Sequence, residues 1–410
     1  MFRLFFSSQL HLLGLALRAL VPRRGAGWAG YIRPLLMLGF VPLFALIQLI
    51  HWLGLALDEL LYPDYRQVQV REPLFVLGVP RSGTTHLHRV LAKDPGFTTF
   101  TTWECLFALS ISARRFWLGL GRLDARLGAP LARVLRWSER HVFGALDAIH
   151  SMRLDDPEED YFALLPALAC FILVLPFPDS TRLWRMGTFD RDMPEPLRSR
   201  LLEHYHRCLQ RHLYVHGQDK RLLSKNAAFA PLAGALRARY ADARFVVCLR
   251  APQQTLPSQL SAIAGGATLF GAAAIAPALE RRMTEQLGFY YHNLERVLAE
   301  VPRQRCAWVS MEQLRERLGP SIEAIYRQLG LALEADYRAR LQAHQHHARR
   351  YRSAHQYSLA QFGLDAARIE HDLGACYRRL HARTIDVEAT STTAVSAVDH
   401  TRATETALPC

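Results

Sequence analysis

The chain has 410 residues, half of them hydrophobic and 21% charged, enough to bury a full core as one large domain or two smaller ones. A net charge of +13 calls for an anionic partner: nucleic acid, an anionic membrane surface or a small polyanionic ligand. Only Lys93, Lys220 and Lys225 are lysines, and the 47 arginines are scattered rather than banded with aromatics, which argues against nucleic acid. The seven cysteines include no C-x-x-C pair, and neither Asn226 nor Asn293 opens an N-x-[ST] site. An extracellular disulfide scaffold and a glycosylated luminal protein are both disfavoured.

The first 70 residues differ from the rest. "LFFSSQLHLLGLAL", between Arg3 and Arg18, carries no charge and is not followed by a small-x-small cleavage site. Between Arg33 and Asp58 lie 24 uncharged residues, long enough to cross a bilayer core of roughly 30 Å as a helix. Both segments read as helices that associate with a membrane, either spanning it or lying flat in its interface. For a span, the arginines before the long segment and the acids after it would keep the N-terminus cytoplasmic and send the rest across. A flat arrangement, with the arginines on anionic headgroups, leaves the catalytic part on the cytoplasmic face.

From Arg71 to about residue 384 the pattern is α/β. Short apolar runs at 73–79, 221–226, 243–250 and 306–311 alternate with helical stretches such as 84–93 and 229–240. Runs of that kind predict a parallel sheet, buried on both faces beneath helices. Residues 105–220 read as a helical insertion. The tail 385–410, rich in Thr, Ser and Ala, is expected to be disordered.

The chemistry begins at "LFVLGVPRSGTTHLHRVL" (74–91). Gly78 and Gly83 have the spacing of an ATP-binding P-loop, but Thr84 stands where that motif has lysine. The nearest cation is Arg81. A glycine-rich turn between a parallel strand and a helix aims backbone N–H groups and the helix dipole at one point. Ser82, Gly83, Thr84 and Thr85 add hydroxyls and close approach, so the loop suits a tetrahedral anion, phosphate or sulfate. A second cue is "ARFVVCLRAPQQTLPSQL", with Arg250 at a strand end and Ser258 eight residues on. In a doubly wound sheet, ligands gather at the C-terminal ends of neighbouring strands, so this pair makes a second anion site, separate from the first. Two such sites on one edge suggest a nucleotide with two separated acidic groups.

"VPRSGTT" followed by "RFVVCLRAPQQTLPS" resembles the sulfotransferases that use 3′-phosphoadenosine-5′-phosphosulfate (PAPS). The Arg-Ser-Gly-Thr loop is similar to that of the tyrosylprotein sulfotransferases and a broad bacterial group. The resemblance extends through "TTWECLF" (101–107), "DDPEEDYF" (155–162), "LLSKNAAF" (222–229), "WVSMEQL" (308–314) and "HQYSLAQFGL" (355–364). It implies a P-loop-like α/β fold, binding of the 5′-phosphosulfate by the first loop, and binding of the 3′-phosphate by Arg250 and Ser258. The chain departs from the family at Ala251, Met311, and Asn226–Ala227, where Asp, Tyr and Ser-Pro are usual.

Sulfonate transfer needs positive charge on the leaving phosphate and a base for the acceptor proton. Arg81 and Lys225 suit the first task. For the base the resemblance points to Glu104, 23 residues beyond Arg81, just after a β-like run at 97–103. Rivals are His150 and, in "DDPEEDYF", Glu158 and Glu159. There Asp156-Pro157 followed by Glu158 and Glu159 reads as a helix start, which explains the acids without chemistry. His344, His346 and His347 lack a complementary ligand set and read as a solvated basic face; no metal is expected, because the phosphosulfate carries less charge than ATP and the loop and its cations can neutralise it. Arg349, Arg352 and His355 are placed by the resemblance near the 3′-phosphate. The expected protein is a membrane-associated PAPS-dependent sulfotransferase whose acceptor is a hydroxyl of a lipid, glycolipid or glycan. The competing readings are a P-loop kinase and a membrane-anchored scaffold with a degenerate nucleotide site.

Overall fold

The computed structural model describes residues 1–21, 29–138, 153–270, 277–348 and 358–387. Five strands form one parallel sheet: β1 (Leu74–Gly78), β2 (Phe97–Thr98), β3 (Arg221–Lys225), β4 (Arg244–Leu249) and β5 (Cys306–Ser310), in the order β2–β3–β1–β4–β5. Alternate residues of the apolar runs feed two cores. Phe75, Leu77, Phe245 and Val247 pack into one, and Leu74, Val76, Val246 and Cys248 into the other. Burial on both faces is what an uninterrupted apolar strand requires. The chain visits β3 on one side of β1 and then crosses to β4 on the other, so the loop after β1 sits at a topological switch point.

Helices cover the sheet. α1 (Phe2–Ala19) and α2 (Ala29–Leu61) are the two apolar N-terminal segments. α3 (Thr84–Leu91) leaves the glycine-rich loop directly, and α4 (Thr102–Phe107), α5 (Ile111–Arg126) and α6 (Pro130–Ser138) follow β2. α7 (Glu195–His216) leads to β3, α8 (Ala233–Arg239) to β4, and α9 (Pro252–Leu269) and α10 (Pro277–Leu298) connect β4 to β5. Pro252, expected in a turn, instead occupies the first position of α9, where its missing N–H costs nothing.

Four expectations need adjusting. Asp156–Pro157 starts no α-helix: Pro157 bridges Thr101 in antiparallel fashion, Glu158 N–H donates to the Phe100 carbonyl, and only a 3₁₀ turn follows at Asp160–Leu164. Edge pairing has taken the backbone groups that a helix would have used. The β-like run at 97–103 forms only two residues of strand before α4 begins. The 229–240 helix starts as a 3₁₀ segment, Ala227–Leu232, which contains Pro231. Chain order also continues past 384: Ile385 N–H donates to the Trp308 carbonyl at 2.8 Å, and Ile385 and Val387 are buried. Residues 388–410 lie outside the described residues.

α2 is long and apolar enough to cross a membrane. It is nevertheless fixed to the domain along its length. Arg33 donates to the Pro176 carbonyl at 3.0 Å, Trp52 to Pro166 at 3.0 Å, and His51 lies 3.0 Å from the Leu106 carbonyl. Asp58, fully buried, accepts from the N–H groups of Ile111 and Ser112 and pairs with Arg211 at 2.9 Å.

Candidate active site

The loop after β1 is built on left-handed backbone. Gly78 has φ +152° and Gly83 φ +91°. A Cβ on Gly78 would stand 2.4 Å from the Cys248 carbonyl oxygen, because β4 runs directly alongside. Arg81 also has positive φ, +67°, a left-handed conformation that is uncommon for a non-glycine residue. Ser82 is buried and donates to the Val79 carbonyl at 2.6 Å, so its hydroxyl closes the loop instead of pointing outward. Gly83 is the N-cap of α3 and offers no side-chain acceptor, which leaves the first-turn N–H groups, beginning at Thr84 and Thr85, uncapped by a side chain.

Arg81, Arg250 and Ser258 meet. Arg81 Nε donates to Ser258 Oγ at 3.1 Å, and Arg250 Nη1 donates to the Arg81 carbonyl at 3.0 Å. The Arg250 carbonyl accepts from Tyr291 on α10 at 2.7 Å, and Arg250 Nε reaches Gln254 at 3.1 Å. The expectation of two separate anion sites is therefore revised. The Arg81 side chain spans from the first loop to Ser258 on α9, and the sites adjoin.

Lys225, at the end of β3 and 2% exposed, pairs with Glu159, which is one-fifth exposed. Just behind lies a buried network: Tyr205 and Ser224 donate to Asp160, with Asn226 Nδ2 at 3.4 Å. Burial raises the Asp160 carboxyl to about 6, although these three hydrogen bonds favour its charged form. His88 on α3, buried and 2.7 Å from Thr99 Oγ1, is held well below its usual value by burial and then by Lys225 and Arg89. Nothing in the local sequence marked Asp160, Tyr205 or His88, because their partners lie in distant segments.

Glu104 occupies a different setting. It is the third residue of α4 and closes a capping box with Thr101, whose N–H and hydroxyl donate to Oε2 at 3.0 and 2.9 Å. Oε1 lies 2.9 Å from Arg114 Nε and accepts from His216 Nε2 at 2.6 Å. Burial alone would raise the Glu104 carboxyl, but the Arg114 charge and the His216 hydrogen bond outweigh it and hold it well below the usual carboxylate range. His212, fully buried, is kept neutral by desolvation, so the charge that offsets Glu104 is Arg114. Arg114 is itself 0% exposed and lies 5.1 Å from the Phe100 ring centre, and its Nη atoms meet no acceptor among the described residues. His150, Arg349, Arg352 and His355 lie outside the described residues, as do the side chains of His344, His346 and His347.

The edge thus presents uncapped helix N–H groups, two arginines, a buried serine hydroxyl and a lysine. That set fits a ligand with two acidic groups such as the one expected from the sequence. A family model described as "Sulfotransferase family" matches residues 73–335, more than half of the chain. The chain belongs to the sulfotransferase family. Among solved structures it is similar to sulfotransferase STF1 from Mycobacterium tuberculosis H37Rv, with TM-score 0.67 and 21% identity, covering 89% of this chain and 91% of that one. It is similar also to sulfotransferase STF9 from Mycobacterium avium, with TM-score 0.67 and 18% identity over 94% and 97% of the two chains. At these identities the likeness establishes the fold. No curated protein matches the chain.

Proposed function

We propose that this protein transfers a sulfonate group from PAPS to a hydroxyl of a lipid, glycolipid or glycan. The observation that carries the reading is the junction of Arg81, Ser258 and Arg250 beside the uncapped start of α3. It supplies one continuous cationic surface for the 5′ and 3′ acidic groups of a single nucleotide. When bound, the donor supplies the sulfonate and a phosphate leaving group. The α3 N–H groups and Arg81 hold the 5′ side, and Arg250 with Ser258 holds the 3′ side. Lys225 stands at the neighbouring strand end as the second cation for charge that develops on the leaving oxygen.

Two carboxylates divide the remaining work by environment. Glu159, one-fifth exposed beside Lys225, is the group whose surroundings suit taking the acceptor proton. Glu104, the base expected from the resemblance, is acidified and occupied on both oxygens, so in this arrangement it is a weak proton acceptor that ties α4 to α5 and α7. A hydroxylated lipid or glycolipid as acceptor is supported by the apolar helices α1 and α2.

The test is calorimetric binding of adenosine 3′,5′-bisphosphate, the expected product, against ATP, on wild type and Arg250→Ala. Binding of the bisphosphate, little binding of ATP and a loss of about 10²-fold in the variant are expected, since a charge-assisted pair to a phosphate contributes a few kcal/mol. A preference for ATP would overturn the proposal in favour of a kinase. Binding of neither would leave a degenerate site on a scaffold.

A further inference from the structure

Among the described residues, every large apolar side chain that stays exposed, Ile172 apart, belongs to residues 1–61 or 107–137. The second group was not apparent as a surface from the sequence. It comprises Phe107, three residues of the Phe116–Leu118 turn, Leu123 and Leu127 on and beyond α5, and four side chains of α6. α6 itself, "PLARVLRWS", contains no buried residue, so burial in the protein gives it no reason to be amphipathic. Its N-terminus is held by Asp124, which is buried and accepts from Leu131 and Ala132 N–H at 2.8 and 2.9 Å. The α6 turn is therefore built and capped while presenting Leu131, Val134, Leu135 and Trp137 outward.

Charge accompanies this face in one sign only. Residues 1–57 contain five arginines and no acid, and residues 108–138 contain six arginines and the single buried Asp124. Arg115, Arg122, Arg126, Arg133 and Arg136 are exposed among the apolar side chains of α5 and α6. Apolar residues interleaved with exposed arginines, with tryptophans at 117 and 137, have the composition of helices that lie at an anionic bilayer surface. A soluble second copy of the chain would bring the same arginine-rich surface against itself.

The geometry also decides between spanning and lying flat. Arg33 and Asp58 are both fixed to the catalytic domain, through Pro176 and Ile111, and stand 25 residues apart on one helix. At 1.5 Å per residue that is about 37 Å, more than the roughly 30 Å hydrocarbon core. A spanning α2 would carry its docked domain into the bilayer. Packing links α2 to α1 and α5, and α5 to α6, so the exposed faces belong to one set of contiguous helices.

We infer that this is a monotopic membrane protein in which the α5–α6 hairpin, together with the outer faces of α1 and α2, inserts into the surface of an anionic bilayer. The inference deepens the lipid-acceptor reading and rests on it only for the acceptor. Glu104 of α4 pairs with Arg114 of α5, so the membrane-facing hairpin is joined directly to the segment that follows β2 at the sheet edge.

The experiment is co-sedimentation of the full chain with phosphatidylcholine vesicles, with and without phosphatidylserine, for wild type and Leu131→Glu/Val134→Glu/Trp137→Glu. Because α6 contains no buried residue, the triple variant should keep its fold, read as unchanged affinity for adenosine 3′,5′-bisphosphate. Wild type should favour the anionic vesicles, and the variant should lose about tenfold or more in partitioning. Equal partitioning of variant and wild type would overturn the role of α6. Absence of wild-type vesicle binding, with a dimer in sedimentation equilibrium that the variant converts to monomer, would overturn it in favour of a second copy. Vesicle binding as expected without bisphosphate binding would leave this inference standing and remove the proposed function.

Discussion

Replacing Glu104 with Gln separates a structural carboxylate from a catalytic one. The pair it forms with Arg114 is almost fully buried, 1% and 0% exposed, and His212 beside it is neutral. Gln keeps an oxygen for the Thr101 donors but leaves Arg114 without a counter-charge. Removing one partner of a buried ion pair costs about 3–5 kcal/mol, a large share of the roughly 5–15 kcal/mol that holds a domain folded. The urea midpoint of Glu104→Gln should therefore fall sharply. Arg114→Met in the same chain should recover most of the loss, because the uncompensated cation is then gone. Acid should mimic the substitution. The folded carboxyl lies below its unfolded value of about 4.3, so its contribution is complete above that pH and disappears as pH falls further. The reasoning is refuted if Glu104→Gln unfolds within about 1 kcal/mol of wild type. Arg114 would then not depend on Glu104, and a simultaneous loss of transfer by about 10²–10⁴-fold would assign the base to Glu104.

Asp160 predicts the opposite slope. Its folded value of about 6 lies above the unfolded one, so stability should rise as pH falls from about 6 toward 4, by up to about 3 kcal/mol. Asp160→Asn should abolish that rise in urea midpoints measured across the interval, and a persistent rise would place the titration elsewhere. Glu159→Gln should lower the rate of sulfonate transfer by about 10²-fold or more with bisphosphate affinity unchanged within a few fold, and Lys225→Met should act similarly through the leaving group. Full activity in Glu159→Gln would remove it as the base. Gly78→Ala should destabilise by about 2–4 kcal/mol, since its Cβ meets the β4 backbone 2.4 Å away at a φ that side chains avoid. A midpoint equal to wild type would mean that β1 and β4 separate more easily than their paired register implies.

The parts legible in the sequence were those encoded locally. Each strand is a short apolar run, and a parallel sheet buried on both faces needs little more than that to be recognised. Lys225 ends one of those runs and Arg81 and Arg250 stand just beyond two of the strands, and chain direction in a parallel sheet carries all three to one edge. What escaped depends on pairing between distant segments. Asp156-Pro157 has every local feature of a helix start, yet the edge of the short β2 extension claimed its backbone. The Lys225–Glu159 pair joins residues 66 apart, and the Glu104 cluster draws on α4, α5 and α7. The outward apolar face of α6 was hidden for a related reason: an apolar periodicity specifies that something must cover a face, and only the packing reveals that the protein does not.

The displaced cation of the loop now has a physical account. Thr84, where an ATP-binding loop has lysine, begins α3 and is only 4% exposed, so a cation there would be buried against the helix it starts. Arg81 stands on the outer side of the same turn, and its side chain leads away from α3 toward α9. A guanidinium has five donors in a plane, and with Nε on Ser258 it retains four more for a ligand. A lysine in the ATP-loop position serves a chain of phosphates extending from one side of the ribose. On the proposed reading, an arginine at position 81, braced through its own carbonyl by Arg250, would instead put charge between two acidic groups on either side of a nucleoside. Under the proposed function, that placement accounts for a cation at position 81 and none at position 84, using side chains already in contact.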